Sequence, residues 1–342
     1  MANRSLKKVA LAVALAAAAG AASATLNVRD FFADAALSVD ALGVSADEPT
    51  GQLQAEAAAN STVLKAYLYT SSVWTAAVNP VTFNGTLLTL ATSTTLAPNA
   101  NPATTVMWDV TSLVKPTIDG GSGGIYNFDL TEMGDNDGSV LVVVYRNAAT
   151  TGGSAIVLDG ELATTGDTTL LNFAGPYTGG DFVMSLASSF SYNGPPPTGQ
   201  VTTVDVQTTN NPASRRLTGC AGGNDDAVPP FVAANGRLIT AGGVGDNPSN
   251  PDPACTVADQ DDELYNLALG NSANASPFIT SGDMFLRLLT VNPSNNDNVF
   301  GMFLTSTFRI VDPEDPVPEP ATLALAGLGL AGLAAMRRRR QK

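Results

Sequence analysis

The sequence predicts an all-β body, a jelly-roll-like β-sandwich with long polar loops, from three observations. Thr, Val, Ser, Asn and Gly are abundant between residues 25 and 312, and runs of helix-favouring residues are nearly absent there. Short strand-like segments recur in this region, with turn residues about every eight to twelve positions. Helical apolar segments are expected only at the two ends, one in a signal sequence and one in a transmembrane helix.

The strand predictions rest on periodicity. Leu64 to Ser71 alternates, which places Leu64 with Ala66 and Leu68 on one face, and Tyr67 with Tyr69 on the other. The run 140–144 is continuously apolar and indicates a strand buried on both faces. Residues 31–42 fit either a short helix or an extended segment. Other strands are expected at 81–83 and 86–90 around the hairpin dipeptide Asn84-Gly85, and at 106–113, 125–130, 155–158, 181–192, 201–207, 237–240, 285–291 and 299–311.

The predicted domain boundaries are 1–24 for a signal peptide, 25–312 for the β-sandwich body, 313–320 for a Pro-rich stalk and 321–342 for a transmembrane helix with a basic tail. The triple proline at 195–197 suggests a sub-boundary near 195–200. One continuous two-sheet domain is favoured because the second half alone has few strands, and two sandwiches are the alternative.

The amino terminus has the three parts of a secretory signal peptide. Arg4, Lys7 and Lys8 precede an apolar run from residue 9 to 19, and small residues follow up to Ala22-Ser23-Ala24. Cleavage is expected after Ala24, at the A-x-A-like site that Ala22 and Ala24 form. The prediction is export by the Sec route, and an uncleaved amino-terminal anchor is the alternative.

The carboxyl terminus combines a proline-rich motif, an apolar segment and a basic block. Sixteen apolar residues, 321–336, give a helix about 24 Å long, which is short for a permanent membrane span. By the positive-inside rule, the arginines that follow stay in the cytoplasm. A plain membrane helix is the alternative to a sorting signal. The residues concerned are Pro318, Glu319, Pro320, Arg337, Arg338, Arg339 and Arg340.

This arrangement resembles the PEP-CTERM sorting signal of exported bacterial proteins. The resemblance implies recognition and cleavage by an exosortase-type membrane protease. It further implies an inner-membrane intermediate, and then transfer to the cell surface or the extracellular matrix. Such proteins accompany exopolysaccharide and biofilm production.

The body is similar, through shorter motifs, to modules of large secreted bacterial surface proteins. The matching motifs are Trp74, the segment 109–111, the strand end 143–145 and the turn Asp159-Gly160, with a second cluster at 261–265 and 292–298. The resemblance implies an extracellular β-sandwich with a structural or adhesive role and no known reaction.

The charge of the body limits which ligands it can bind, and its two cysteines predict how it is cross-linked. Nine basic and thirty acidic residues between 25 and 316 give a net charge of about −21, which disfavours nucleic acid and suits divalent cations. Cys220 and Cys255 predict one disulfide in an oxidising compartment, and two unpaired thiols are the alternative.

Calcium is the one cofactor that the sequence suggests. The segment Asp135-Asn136-Asp137-Gly138 has the alternating oxygens and turn glycine of a partial calcium loop, although Arg146 stands where an EF-hand has its Glu. Asx turns are the alternative explanation of such clusters. The candidate ligands are Asp135, Asp137, Asp261, Asp262 and Asp297.

The chain contains no histidine, which excludes Ser-His-Asp and Cys-His catalysis and histidine-containing zinc sites. No catalytic residues are predicted, and the chain is interpreted as a non-enzymatic, exopolysaccharide-associated surface or matrix protein. A carbohydrate-binding module, using Trp74, Trp108, Tyr67 or Tyr69, is the alternative, although aromatics at alternating strand positions are more often core, which is the favoured interpretation for Trp108. A polysaccharide hydrolase with two carboxylates is a third hypothesis, with candidates Glu132, Glu161, Asp261, Asp262 and Glu263.

Overall fold

A computed structural model describes twelve parts of the chain. Their regular structure is mainly strands in antiparallel sheets, at 54% strand against 6% helix, which confirms the all-β prediction. The described residues are 26–43, 49–72, 75–97, 104–134, 136–163, 165–189, 201–222, 239–248, 250, 253–254, 263–292 and 298–313.

The described strands and the α-helix lie along the chain in the following order, in two groups divided after residue 146. The first group is β1 (Asn27–Ala33), β2 (Ala36–Gly43), β3 (Thr50–Ala57), β4 (Thr62–Ser72), β5 (Val81–Phe83), β6 (Thr86–Leu88), β7 (Thr94–Thr95), β8 (Thr105–Asp109), helix α1 (Thr111–Ile118), β9 (Gly124–Glu132) and β10 (Asn136–Arg146). The second group is β11 (Ser154–Asp159), β12 (Asp167–Asn172), β13 (Phe182–Ser189), β14 (Thr202–Thr208), β15 (Arg215–Ala221), β16 (Thr240–Ala241), β17 (Leu264–Asn266), β18 (Phe285–Val291) and β19 (Asn298–Ser306).

These strands form four sheets, where the sequence favoured two. Inner sheet 1 has the order β2-β10-β4-β8-β7, and outer sheet 1 has the order β3-β9-β5-β6. Inner sheet 2 has the order β1-β11-β19-β13-β16, with β17 also paired to β13. Outer sheet 2 has the order β12-β18-β14-β15. Inner and outer sheet 1 are therefore built from β2 to β10. Inner and outer sheet 2 are built from β1 and the strands that follow β10.

Three hydrophobic cores stack the sheets into four layers. A first core lies between outer and inner sheet 1, where the rings of Phe83 and Phe128 are stacked 5.8 Å apart. A second core lies between inner and outer sheet 2. A central core joins the two inner sheets, with Tyr69 of β4 packed 5.9 Å from Phe300 and 5.6 Å from Phe303 of β19. Each inner sheet is therefore covered on both faces.

This layering explains β10, the strand that the continuous apolar run predicted to be buried on both faces. Leu141 and Val143 point into the first core, while Val140, Val142 and Val144 point into the central core. All five side chains are fully buried, which confirms the prediction. Burying a valine contributes roughly 1.5–3 kcal/mol, so β10 stabilises both cores.

Strand β4 departs from the predicted alternation at one residue. Ala66 and Leu68 face the first core and Tyr67 faces the central core, as predicted. Leu64 packs against the central core, on the side opposite to the prediction. The pairing of β4 with β10 shifts register at this point, and a β-bulge turns the inserted residue to the other face.

Local turn chemistry explains one confirmed prediction and one wrong one. Asn84 and Gly85 both have positive φ, 47° and 76°, which is the backbone of the predicted tight hairpin between β5 and β6. The strand predicted at 106–113 ends at Asp109, and α1 begins at Thr111. The carboxylate of Asp109 accepts the Thr111 N–H at 3.0 Å, an Asx-type turn that ends the strand.

The segment 31–42, which the sequence left open, consists of β1 and β2 joined by a tight turn. Among the described residues, no helix has both the length and the apolar character needed to cross a bilayer. The predicted signal peptide and the segment 321–342 lie outside the described residues.

Strand directions give the stack two distinct ends. The tail-exit end contains Ala33, Arg146, Ser154, Phe182 and Ser306, because these residues pair with one another or join through short turns. The loop end holds the opposite strand ends, Gly43, Ser72, Asp159, Ser189 and Asn298. The chain leaves β19, the last of the described strands, at the tail-exit end.

Candidate functional site

A solvent-open groove of about 440 Å³ lies beside the central core, where inner sheet 2 extends past the edge of inner sheet 1. Its floor is formed by two antiparallel strands of inner sheet 2. Ser185 of β13 pairs with Phe303 of β19, and Val183 pairs with Thr305. Paired residues project to the same face of a sheet, so these four side chains form one surface.

Strand β2 and the segment Gly242–Val244 form the two walls of the groove. The Val244 N–H donates to the Val39 carbonyl at 2.9 Å, so the segment is hydrogen-bonded to the outer edge of β2. A Cβ on Gly243 would collide with the Val39 backbone, and a Cβ on Gly242 would collide with that of Glu263. Both positions therefore need glycine for this wall to form.

Three hydroxyl groups point at the groove with hydrogen-bonding capacity to spare. Ser38 Oγ accepts the Glu56 N–H at 2.8 Å, and Thr305 Oγ1 accepts the Leu37 N–H at 2.9 Å, and neither hydroxyl donates to another of the described residues. Ser185 is 3 % exposed, and its buried Oγ has no hydrogen-bond partner within the described part of the chain. A buried hydroxyl without a partner costs about 1–3 kcal/mol.

Tyr145 and Glu56 stand at the rim of the groove. Burial, and secondarily the negative charge of Glu56, raise the pKa of the Tyr145 phenol above its ordinary value. The phenol therefore stays protonated and able to donate at neutral pH. Among the described residues that line the groove, Glu56 is the only charged one.

The aromatic residues considered for sugar stacking are part of the cores. Trp108 is 2 % exposed, and its indole Nε1 donates to the Thr89 carbonyl at 2.9 Å. Tyr67 and Tyr69 are equally buried, in the central core. The hypothesis that these three rings stack on sugars is wrong, because no glycan reaches them. Trp74 lies outside the described residues.

The two tyrosines of β4 instead connect the inner sheets. The Tyr69 hydroxyl donates to Asp159 Oδ2 at 2.8 Å, and Arg29 Nη2 donates to Asp159 Oδ1 at 3.1 Å. The Tyr67 hydroxyl donates to Asp30. Burial opposes the charge of Arg29, but the hydrogen bond and charge of Asp159 outweigh it and raise the pKa of the guanidinium above its ordinary value. Strand β4 is thus bonded to β1 and β11.

The carboxylates considered for hydrolysis do not line the groove. Glu132, Glu161 and Glu263 are all at least 98 % buried. Burial raises the pKa of Glu132 to about 7, and its Oε1 accepts a hydrogen bond from the Ser139 hydroxyl. The structure therefore gives these three glutamates no access to a polysaccharide, and Asp261 and Asp262 lie outside the described residues.

Of the predicted calcium ligands, the structure describes Asp137, which is fully buried at the register shift near the start of β10. Cys220 belongs to β15. Among the described residues, no group of three or more His, Cys, Asp or Glu side chains is placed to hold a metal ion. The calcium site and the disulfide stay predictions. The predicted site residues outside the described parts are Ala22, Ala24, Asp135, Cys255, Asp261, Asp262, Asp297, Pro318, Glu319, Pro320 and Arg337 to Arg340.

The groove was missed from the sequence because strands far apart in the chain build it. Ser185 and Thr305 are small polar residues within strand patterns, and such residues do not by themselves indicate a binding groove. Gly242-Gly243 before an apolar residue is the one local cue, since adjacent glycines mark a close backbone approach.

By fold, the chain is a multilayered antiparallel β protein whose last strand leads into its carboxyl-terminal segment. Residues 316–340 match the family model of the PEP-CTERM protein-sorting motif. The chain thus carries this sorting motif, which implies export and sorting at a membrane towards the cell surface, with processing by an exosortase.

The other comparisons are less informative. No curated protein matches the chain. Among solved structures, the major capsid protein P2 from bacteriophage PM2 is similar at 12% sequence identity and a TM-score of 0.19, over 82% of this chain and 99% of that one. At this TM-score the similarity supports no conclusion.

Proposed function

We propose that this chain is a non-catalytic surface or extracellular-matrix protein of the biofilm, exported by the Sec route and sorted by an exosortase. The observation that carries the proposal is the sorting motif at 316–340, which begins ten residues after the end of β19, the last strand among the described residues. The body's role is structural or adhesive, in association with exopolysaccharide. Its acidic loops bind calcium, which stiffens them.

The tail-exit end faces the membrane in this proposal, because the tether is short. The Ile310 N–H donates to Ser154 Oγ at 3.0 Å and the Val311 N–H to the Asn172 carbonyl at 2.8 Å, so the chain stays fixed to the body up to residue 311. The stalk from Pro313 to Pro320 has eight residues, which span at most about 28 Å. The body is therefore held close to the bilayer until the tail is cleaved.

The loop end then points away from the cell. Strands of the inner sheets, such as the eleven residues of β10, place this end about 35 Å further from the membrane. The connections that start at this end carry Asp47, Glu48, Asp225, Asp226 and Asp297. Acidic residues in these connections suit contacts with divalent cations and, through them, with acidic polysaccharide.

Replacing Pro318-Glu319-Pro320 by three alanines is expected to abolish the sorting step. In the native cell, the wild-type protein should lose its tail and appear outside the inner membrane. The variant should stay in the membrane fraction with residues 321–342 attached, because the protease no longer recognises the stalk. Mass spectrometry of both proteins gives the two termini and the state of Cys220 and Cys255.

Pro313→Ala is the matched control, since it removes a proline that lies before the matched motif. This variant should be processed like the wild type. Recovery of wild-type protein from the cytosol with both ends intact would contradict the proposal.

A carbohydrate-binding function is the second candidate. Trp108, the tryptophan that the structure describes, is buried and does not support it. The groove beside the central core does, since it combines hydroxyl groups with an apolar lining.

A further inference from the structure

We propose that the groove on inner sheet 2 is a binding site for one neutral sugar unit of a glycan. The inference deepens the proposed association with exopolysaccharide and rests on it only for where the protein meets its ligand. The groove volume, about 440 Å³, lies in the range of small-molecule sites, roughly 300–1,000 Å³.

The unpartnered hydroxyl of Ser185 is the first indication of a polar ligand. It lies on the floor of the groove, is buried from water, and finds no hydrogen-bond partner in the described part of the chain. Such a group is costly in the free protein and is satisfied when a ligand hydroxyl reaches it. Ser38 and Thr305 also line the groove, and each hydroxyl accepts one backbone N–H and can still donate, so donors are available from both the wall and the floor.

The apolar part of the lining fits the carbon-bound hydrogens of a sugar ring. Phe303 and Val183 form the floor with the two hydroxyl residues, and Leu37 and Val244 cover the sides. Tyr145 at the rim adds an aromatic face that ends in a protonated phenol. Sites for polar small molecules combine an apolar lining with a few placed polar groups in this way.

Two other ligand classes fit less well. An acyl chain would leave the buried Ser185 hydroxyl unsatisfied, and it would cover Ser38 and Thr305 without offering an acceptor for their hydroxyl protons. An added peptide strand needs free backbone groups at the edge of β2. The Val39 carbonyl is already bonded to Val244, and the Leu37 N–H is bonded to Thr305.

The charge of the rim disfavours an acidic sugar. Glu56 is exposed and is the one charged residue among the described residues of the lining. Its carboxylate accepts hydrogen bonds from neutral hydroxyl groups but repels a uronate or a sulfate. A neutral hexose therefore matches both the hydroxyl donors and the single carboxylate acceptor.

The test is calorimetric titration of the full-length chain, purified in a sugar-free zwitterionic detergent, with methyl glycosides of glucose, galactose, mannose and N-acetylglucosamine. Saturable binding of at least one glycoside is expected. Ser185→Ala and Glu56→Gln should each weaken it at least fivefold.

Ser188→Ala is the matched control, because Ser188 lies on the same strand and also has a buried hydroxyl without a partner among the described residues, but does not line the groove. Both serine variants should melt at or above the wild-type temperature, since each loses an unsatisfied polar group. Only Ser185→Ala should lose sugar affinity, which separates a ligand contact from a structural role.

Absence of binding to every glycoside, or binding that Ser185→Ala and Glu56→Gln leave unchanged, would overturn the proposal. Competition by octanoate or methyl glucuronide that exceeds competition by the neutral sugar would also overturn it. None of these results affects the sorting proposal, which depends on the termini found by mass spectrometry.

Discussion

The body should become more stable as the pH falls from 8 to 5. Burial raises the pKa of Asp40 from 3.8 to about 7, and the nearby charge of Asp246 adds to this effect. Burial likewise raises the pKa of Glu132 from 4.5 to about 7. At a pH between the unfolded pKa and the folded pKa, each carboxyl group is protonated in the folded chain and ionised in the unfolded chain. The contribution to stability is therefore complete below the unfolded pKa and is lost as the pH rises through 7.

Each carboxyl group should contribute about 2–3 kcal/mol to the change in unfolding free energy between pH 8 and pH 5, because pH 5 lies about two units below the folded pKa of about 7. Asp40→Asn and Glu132→Gln should stabilise the protein at pH 8 and flatten the pH dependence, because an amide imitates the protonated acid. The measurement is denaturant unfolding of the full-length chain at pH 5, 6, 7 and 8.

Asp129→Asn serves as the control, because it removes an exposed charge from β9 and changes the net charge by the same amount. The slope of unfolding free energy against pH should match that of the wild type. A wild-type stability that rises from pH 5 to pH 8 would show that the two buried carboxyls are ionised in the folded protein.

Asp159→Ala should destabilise the stack by about 3–5 kcal/mol. The change leaves the guanidinium of Arg29 without its carboxylate and the buried hydroxyl of Tyr69 without its acceptor. Tyr69→Phe should cost only about 1–2 kcal/mol, since Asp159 keeps its pair with Arg29. Thermal unfolding of the full-length variants measures both effects, and the double variant measures their coupling.

The exposed pair of Arg216 and Asp205 provides the comparison. Asp205→Ala breaks a two-pronged ion pair on the outer face of outer sheet 2, where water replaces the lost contact. Its cost should stay below about 1 kcal/mol. An equal loss for Asp159→Ala and Asp205→Ala would mean that the link between the inner sheets contributes little to stability.

The sequence predicted individual strands better than their assembly. The buried strand β10 and the hairpin at Asn84-Gly85 follow from local patterns, because burial on both faces and positive φ each demand particular residues. Nothing local distinguishes one pair of sheets from two stacked pairs. A tyrosine in a strand has the same spacing whether it faces water or a second sheet, so Tyr69 was considered for sugar binding although it bonds to Asp159 across the central core.

The bulge near Leu64 and the start of α1 were missed for a related reason. A single inserted residue leaves the composition of a strand unchanged, and the strand-like residues at 110–113 enter a helix because Asp109 turns the backbone. The groove depends on the register between β13 and β19 and on a contact of Gly243 with β2. Such relations are set by tertiary packing, on which the sequence at each site has little influence.

The position of β19 has a mechanical consequence. This strand lies between β11 and β13, with six paired residues on one side and eight on the other, and the tail continues from it. Tension between an anchored tail and a partner at the loop end acts along the strand axis. The hydrogen bonds to both neighbours are perpendicular to that axis. A force along the axis therefore loads all of them together in shear, and they do not break one after another.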